Sequence, residues 1–168
     1  MRTINLKFVG INSKVIPNVT IDGQIVKFKK NEFGSYEASI QTEKDEIELA
    51  FSRQLELQGK LWWLYAMISF IVSIFGILEP LYDRKCITMD CLFKIKLDEV
   101  NDIKVKFNSL SSTGKAVELE TLNEFEEIKN EYHIDKKVKK RWIAILVVKI
   151  ICWIGLAFLL GYLLLKYL

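Results

Sequence analysis

The stretch Leu61–Leu78, LWWLYAMISFIVSIFGIL, carries no charged side chain. A second run, Trp142–Leu165, WIAILVVKIICWIGLAFLLGYLLL, is interrupted only by Lys149. At about 1.5 Å per residue, helices of these lengths extend about 27 and 36 Å, against a hydrocarbon core of about 30 Å. Trp62, Trp63 and Tyr65 at one end of the first run and Tyr82 beyond the other suit interfacial aromatic belts, and Pro80 stops the helix. The pattern predicts two transmembrane helices.

Working outward, Ala66, Ser69, Ser73 and Gly76 recur at helical spacing, and Gly155 belongs to a looser small-residue stripe on the second helix. Small residues let helix backbones approach closely in lipid, so these stripes are the expected packing faces, within the chain or toward a partner. An ammonium in lipid is costly, so Lys149 needs a partner or must snorkel to the interface. In an antiparallel hairpin, Glu79 lies on the same membrane side as the start of the second helix, and a Glu79–Lys149 pair is one expectation.

The 168-residue chain is 51% hydrophobic with net charge +3. Two helices divide it into 1–60, 61–79, 80–141 and 142–166. The predicted class is an α+β membrane protein. A small N-terminal β-sandwich-like module precedes the first helix, and a three-stranded β-meander plus a helix lies between the two spans. No charged start with an apolar core marks a signal peptide before Leu61. The wealth of Lys, Ile, Asn and Glu resembles the coding bias of AT-rich bacterial genomes.

In the first segment, Ile4, Leu6, Phe8; Val26, Phe28; Tyr36, Ala38, Ile40; and Ile47, Leu49, Phe51 alternate with mostly polar residues. Period two predicts half-buried strands. Asp22-Gly23 predicts a type I′ hairpin turn, because both central residues need positive φ. The stretch IDGQIVKFKKNEFGSYEASI, Ile21 to Ile40, resembles the DG…G-x-Y pattern of small transthyretin-like and carboxypeptidase-regulatory-like β-sandwiches. That resemblance implies an extracytoplasmic adaptor module and not a catalyst.

In the middle segment, Phe93, Ile95, Leu97 and Ile103, Val105, Phe107 alternate with lysines, and Val117 and Leu119 alternate with Glu118 and Glu120. Asp98 to Asp102 reads as the turn between the first two strands. If Leu97 faces Ile103, Lys104 and Lys106 neighbour Glu120 and Glu118, while Lys94 and Lys96 line an edge and discourage aggregation. No aromatic interleaves these lysines as a base-stacking platform requires, so no nucleic acid is expected. Thr121 with Glu124 reads as a capping box starting a helix near Leu122, followed by Phe125, Ile128 and Tyr132 at helical spacing.

Chemistry-bearing motifs fail on inspection. Ser111 to Lys115, SSTGK, lacks the upstream glycine of a phosphate loop and has Ala116 where a magnesium-binding hydroxyl belongs. Cys86 and Cys91 are spaced unlike a zinc pair, Cys152 lies in the apolar run, and His133 is the lone histidine. No catalytic residue, metal or cofactor is expected. Lys136, Lys137, Lys139, Lys140 and Arg141 form a polybasic flank that orients the membrane segments and offers charge to anionic lipid. The positive-inside rule then places 80–141 in the cytoplasm and both termini outside.

These features predict a non-enzymatic, two-pass cell-membrane protein. Its contacts would be the bilayer and either a protein partner or a second copy, with the β-modules serving as subunit or accessory factor of a membrane complex. The alternative is an immunity-type protein that shields a bacterial cell from a membrane-active or secreted toxin. An intramembrane enzyme or transporter would need more polar groups in the helices than Lys149.

Overall fold

The alternating segments form two-faced strands: β1 (Arg2–Val9), β2 (Asn18–Ile21), β3 (Gln24–Ile25), β4 (Lys29–Lys30), β5 (Tyr36–Thr42), β6 (Glu46–Ser52), β7 (Ile87–Lys96), β8 (Val100–Phe107), β9 (Val117–Glu120) and β10 (Phe125–Ile134). The computed structural model describes residues 1–9, 17–30, 32, 35–74, 85–109 and 114–167. They fall into two units, Met1–Gln54 with Ile87–Ile134, and Leu55–Cys86 with Asp135–Leu168.

The first unit has one five-stranded sheet in the order β4-β5-β1-β8-β9 and another in the order β10-β7-β6-β2-β3. Ile4, Leu6 and Phe8 of β1, Ile47, Leu49 and Phe51 of β6, and Ile103 and Val105 of β8 are all buried in one core. Phe51 of one sheet meets Phe107 of the other edge-on, with centroids 5.7 Å apart. Burying such side chains stabilises by about 1.5–3 kcal/mol each, so this shared interior dominates the unit's stability. Asp22 and Gly23 have φ of 50° and 78°, the doubly positive pattern of the expected type I′ turn. Partial burial pushes the Asp22 carboxyl up, but the Glu48 N–H and Lys44 outweigh it and hold it below the ordinary range.

Several expectations are corrected here. The N-terminal segment and the middle segment are not separate modules: β1 pairs parallel with β8, and β6 pairs antiparallel with β7. The three-stranded meander is not formed either, because β7 and β8 belong to different sheets. Asp98 to Asp102 is not one turn, since β8 already begins at Val100; the short connection is an arch from sheet to sheet. Lys94 and Lys96 therefore lie on a central strand, opposite Glu48 and Glu46. The pairing of Lys104 with Glu120 and Lys106 with Glu118 is as the alternation predicted.

The helix expected from Leu122 is strand β10. Thr121 Oγ1 does not cap a helix; it accepts the Asn123 N–H at 3.2 Å and donates to Asn123 Oδ1 at 3.0 Å, closing a local turn.

A further correction concerns the two-pass architecture. In the second unit, α1 (Trp62–Ile74) has 13 described residues, and among the described residues α2 is the one helix long and apolar enough to cross a membrane. Strand pairing gives the stronger reason. A single crossing between Gln54 and Ile87 would put β1 and β6 on one side of a bilayer and their hydrogen-bonded partners β8 and β7 on the other. The segment Leu55–Cys86 is also too short for two crossings of about 20 residues each. Its two ends therefore belong to the same side of any bilayer.

Helix α2 (Lys136–Tyr167) has 32 residues and is long and apolar enough to cross a membrane, with none of its apolar window buried in the protein. Asp135 caps it, its Oδ1 accepting the N–H groups of Lys137 at 2.9 Å and Val138 at 3.0 Å. Val138 is buried with Leu55, Leu57 and Cys86, and Trp142 and Ile145 pack on the same small cluster.

Candidate functional site

At one end of the β unit, the connections 43–45, 97–99 and 121–124 converge. Leu97 N–H donates to Asp45 O at 2.8 Å, and Lys96 N–H to Glu124 O at 3.0 Å. Asn101, fully buried, ties the arch together: its Oδ1 accepts the Asp98 N–H at 2.7 Å, and its Nδ2 donates to Asp98 O at 3.0 Å and Thr3 O at 3.1 Å. Asn123 Nδ2 donates to Asn101 Oδ1 at 2.7 Å and Lys96 O at 3.0 Å. A buried network with its groups satisfied gives a rigid local structure. Beside it stand two apolar side chains in solvent, Val100 at 68% exposure and Leu122 at 104%. Asp98, Glu99 and Glu124 border them. The sequence signal at Leu122 was obscured by the apparent capping box; the Thr-x-Asn turn within it is the signal that locates this side chain.

The outer face of the first sheet carries a shallow groove of about 670 Å³ lined by Lys7, Lys30, Glu37, Asp102, Lys104 and Glu120, among others. Its charges largely compensate one another. Lys104 lies 2.6 Å from Glu120, Lys7 lies 3.7 Å from Glu37, and Asn5 Nδ2 donates to Asp102 at 2.8 Å. The Glu120 carboxyl is held below its ordinary range by its hydrogen bond and charge interaction with Lys104. On the other sheet, Lys96 is raised by its hydrogen bond to Glu124, and Lys129 by its hydrogen bond to Asp90. These are solvated ion-pair ladders.

Among the described residues, no group of three or more His, Cys, Asp or Glu is placed to hold a metal. His133 stands on β10 opposite Thr88, half-buried and not on a helix, and its Nδ1 has no hydrogen-bond partner among the described residues. Cys86 and Cys91 are buried and Cys152 is exposed on α2, all as free thiols. Burial, with Asp90 and Glu127 adding to it, pushes the Cys91 thiol up to about 12. It is a thiol and not a nucleophile at neutral pH.

Of the expected membrane-packing residues, Ala66 and Gly155 are the two fully described. Ala66 is buried on α1, whereas a Cβ added at Gly155 on α2 would meet nothing within 4 Å. The side chains of Ser69 and Ser73, and all of Gly76 and Glu79, lie outside the described residues, so the Glu79–Lys149 pair does too. Lys149 lies partly exposed along α2.

The polybasic flank splits into two kinds of residue. Arg141 Nη1 donates to the carbonyl oxygens of Leu57 at 2.6 Å, Gln58 at 3.1 Å and Gly59 at 3.2 Å, and the guanidinium stacks 5.1 Å from the Trp62 ring centre. It closes the carbonyl end of the 3-10 turn Glu56–Gln58. Lys136, Lys137, Lys139 and Lys140 are exposed.

No protein-family model, curated protein or solved structure matches the chain.

Proposed function

We propose that this chain is a non-catalytic, membrane-anchored adaptor. The β unit is held at the cytoplasmic face by α2 and docks through its turn end on a protein partner of a membrane complex. The carrying observation is Leu122, fully exposed yet fixed on both flanks by Thr121 and the buried Asn123–Asn101 network. A single exposed leucine is ordinary on a flexible surface. One whose flanking residues are held by hydrogen bonds, so that little backbone ordering entropy remains to be lost, is suited to filling a pocket. The bordering Asp98, Glu99 and Glu124 favour a partner whose pocket is rimmed by basic groups.

The cytoplasmic placement rests on charge. Lys136, Lys137, Lys139, Lys140 and Arg141 precede the apolar stretch of α2, and Lys166 follows it.

The test compares tagged full-length chain with the Val100→Ser/Leu122→Asp variant, both extracted from native membranes. A stoichiometric partner retained by the wild type and lost by the variant, with melting unchanged, supports the adaptor reading. Equal retention removes the turn end from the interface. Capture of a second copy reassigns the surface to self-association, and capture of a toxin only upon challenge replaces adaptor by immunity protein.

A further inference from the structure

We propose that the first turns of α2 form a seat for anionic phospholipid headgroups, so that the chain gathers acidic lipid around itself in the bilayer. This inference rests on α2 crossing a membrane. The N-terminal end of a helix carries positive partial charge and is stabilised by acidic groups, as Asp135 illustrates. Lys136, Lys137, Lys139 and Lys140 follow at once, where the helix dipole repels them.

The fold makes no use of these ammonium groups. Of the eleven described lysines of the β unit, seven, Lys7, Lys44, Lys96, Lys104, Lys106, Lys115 and Lys129, lie within 4.0 Å of a carboxylate. Among the described residues, the four at the start of α2 have no such partner.

Their direction is set by packing. Val138, Trp142 and Ile145 face the small cluster with Leu55, Leu57 and Cys86. At about 100° per residue, the four lysines fan over the opposite side of the helix. Arg141 is held by three carbonyl oxygens and Trp62, which fixes the rotation of α2 against the 3-10 turn. Depth agrees as well. From Lys136 to Arg141 the helix rises about 8 Å, the thickness of one headgroup layer, and the uncharged run begins at Trp142. Four unpaired cations at phosphate depth, aimed away from that cluster, match the headgroup charge of acidic phospholipid.

The four tryptophans, Trp62, Trp63, Trp142 and Trp153, all belong to the unit that contains α1 and α2, so their fluorescence reports on this region alone. The full chain is reconstituted in phosphatidylcholine vesicles containing a minority of phosphatidylglycerol. Brominated acyl chains are carried by one lipid or the other at equal mole fraction. The expected result is quenching by the anionic brominated lipid equivalent to about fivefold local enrichment, the factor one well-placed lysine supplies, falling toward one in high salt. Replacing all four lysines with Gln abolishes the preference and replacing them with Arg retains it, both with unchanged circular dichroism. Equal quenching by the two lipids in the wild type, or a preference that survives the Gln variant, overturns the proposal. Quenching by neither lipid would instead remove the membrane placement of α2 itself.

Discussion

Asn130 stands in for backbone that is missing between two sheets. Strands β9 and β10 are edge strands of different sheets, so no ladder joins them. The Asn130 Oδ1 accepts the N–H groups of Ala116 and Val117, each at 3.0 Å, and its Nδ2 donates to Val117 O at 2.7 Å. Its Nδ2 also donates to Glu127 at 3.1 Å, the first cause of that carboxyl lying below its ordinary range. The Cys91 thiol, kept protonated by burial, is placed to donate to the same Oδ1 at 3.6 Å. Asn130→Ala strands two N–H groups and a carbonyl. Partial access to water keeps the expected loss near about 3 kcal/mol, below the sum of full desolvation penalties. Asn130→Asp keeps the acceptor but sets a carboxylate against Val117 O and Glu127. It should therefore be at least as damaging at neutral pH and recover as acid protonates the new side chain. Urea unfolding of the full chain in detergent, followed through the β-sheet circular dichroism signal, checks both; neutral behaviour of Asn130→Ala would show that the sheet edges are held by other means.

Strand β10 shows why periodicity was legible along most of the chain and misleading here. Phe125 and Tyr132 are seven residues apart, the spacing of one helix face, whereas an odd separation in a regular strand puts two side chains on opposite faces. The pairing with β7 shifts between Glu127 and Lys129, so Ile128 is an inserted bulge residue and brings Phe125 and Tyr132 to the same side. Phe125 then meets Phe93, with centroids 6.4 Å apart, and Tyr132 is buried. A bulge thus imitates a helical period, and the nearby Thr-x-x-Glu imitated a helix cap. The strands β1, β5 and β6 had no such insertion, and their alternation was legible residue by residue. Short turns were ambiguous in another way, since a hairpin and an arch between sheets use the same Asp- and Asn-rich letters; only the burial of Asn101 separates them. The prediction at this scale is a contrast at one position. Ile128→Thr changes a half-exposed side chain and should shift stability by no more than about 0.5 kcal/mol. Deleting Ile128 either turns the buried Tyr132 out of the core, at about 3 kcal/mol or more, or swings the half-exposed Phe125 off Phe93 at a smaller cost that still exceeds that of the Thr variant. Comparable melting of the two variants would show that the bulge does not set the register.

For the whole molecule, hydrogen bonding decides a question that hydropathy cannot. Charge counting over two apolar runs placed 1–60 and 80–141 on opposite sides of a membrane. Each sheet joins strands of both segments, through β1–β8 in one and β6–β7 in the other, so both segments share one compartment, and α2 is left as the candidate crossing. The native thiols are silent reporters of compartment, because Cys86 and Cys91 are buried and Cys152 lies within the apolar stretch of α2. Protection of Cys86 from a reagent would reflect packing and not sidedness. Exposed apolar positions supply better ones: Ile25 at 75% exposure in the first segment and Leu122 in the second. Ile25→Cys and Leu122→Cys, examined separately in intact cells with a membrane-impermeant maleimide, should give the same answer. With the lysine-rich end of α2 inside, that answer is protection of both until lysis. Labelling of both in intact cells would reverse the orientation and keep the fold, whereas labelling of one and protection of the other would be incompatible with the β1–β8 and β6–β7 pairings.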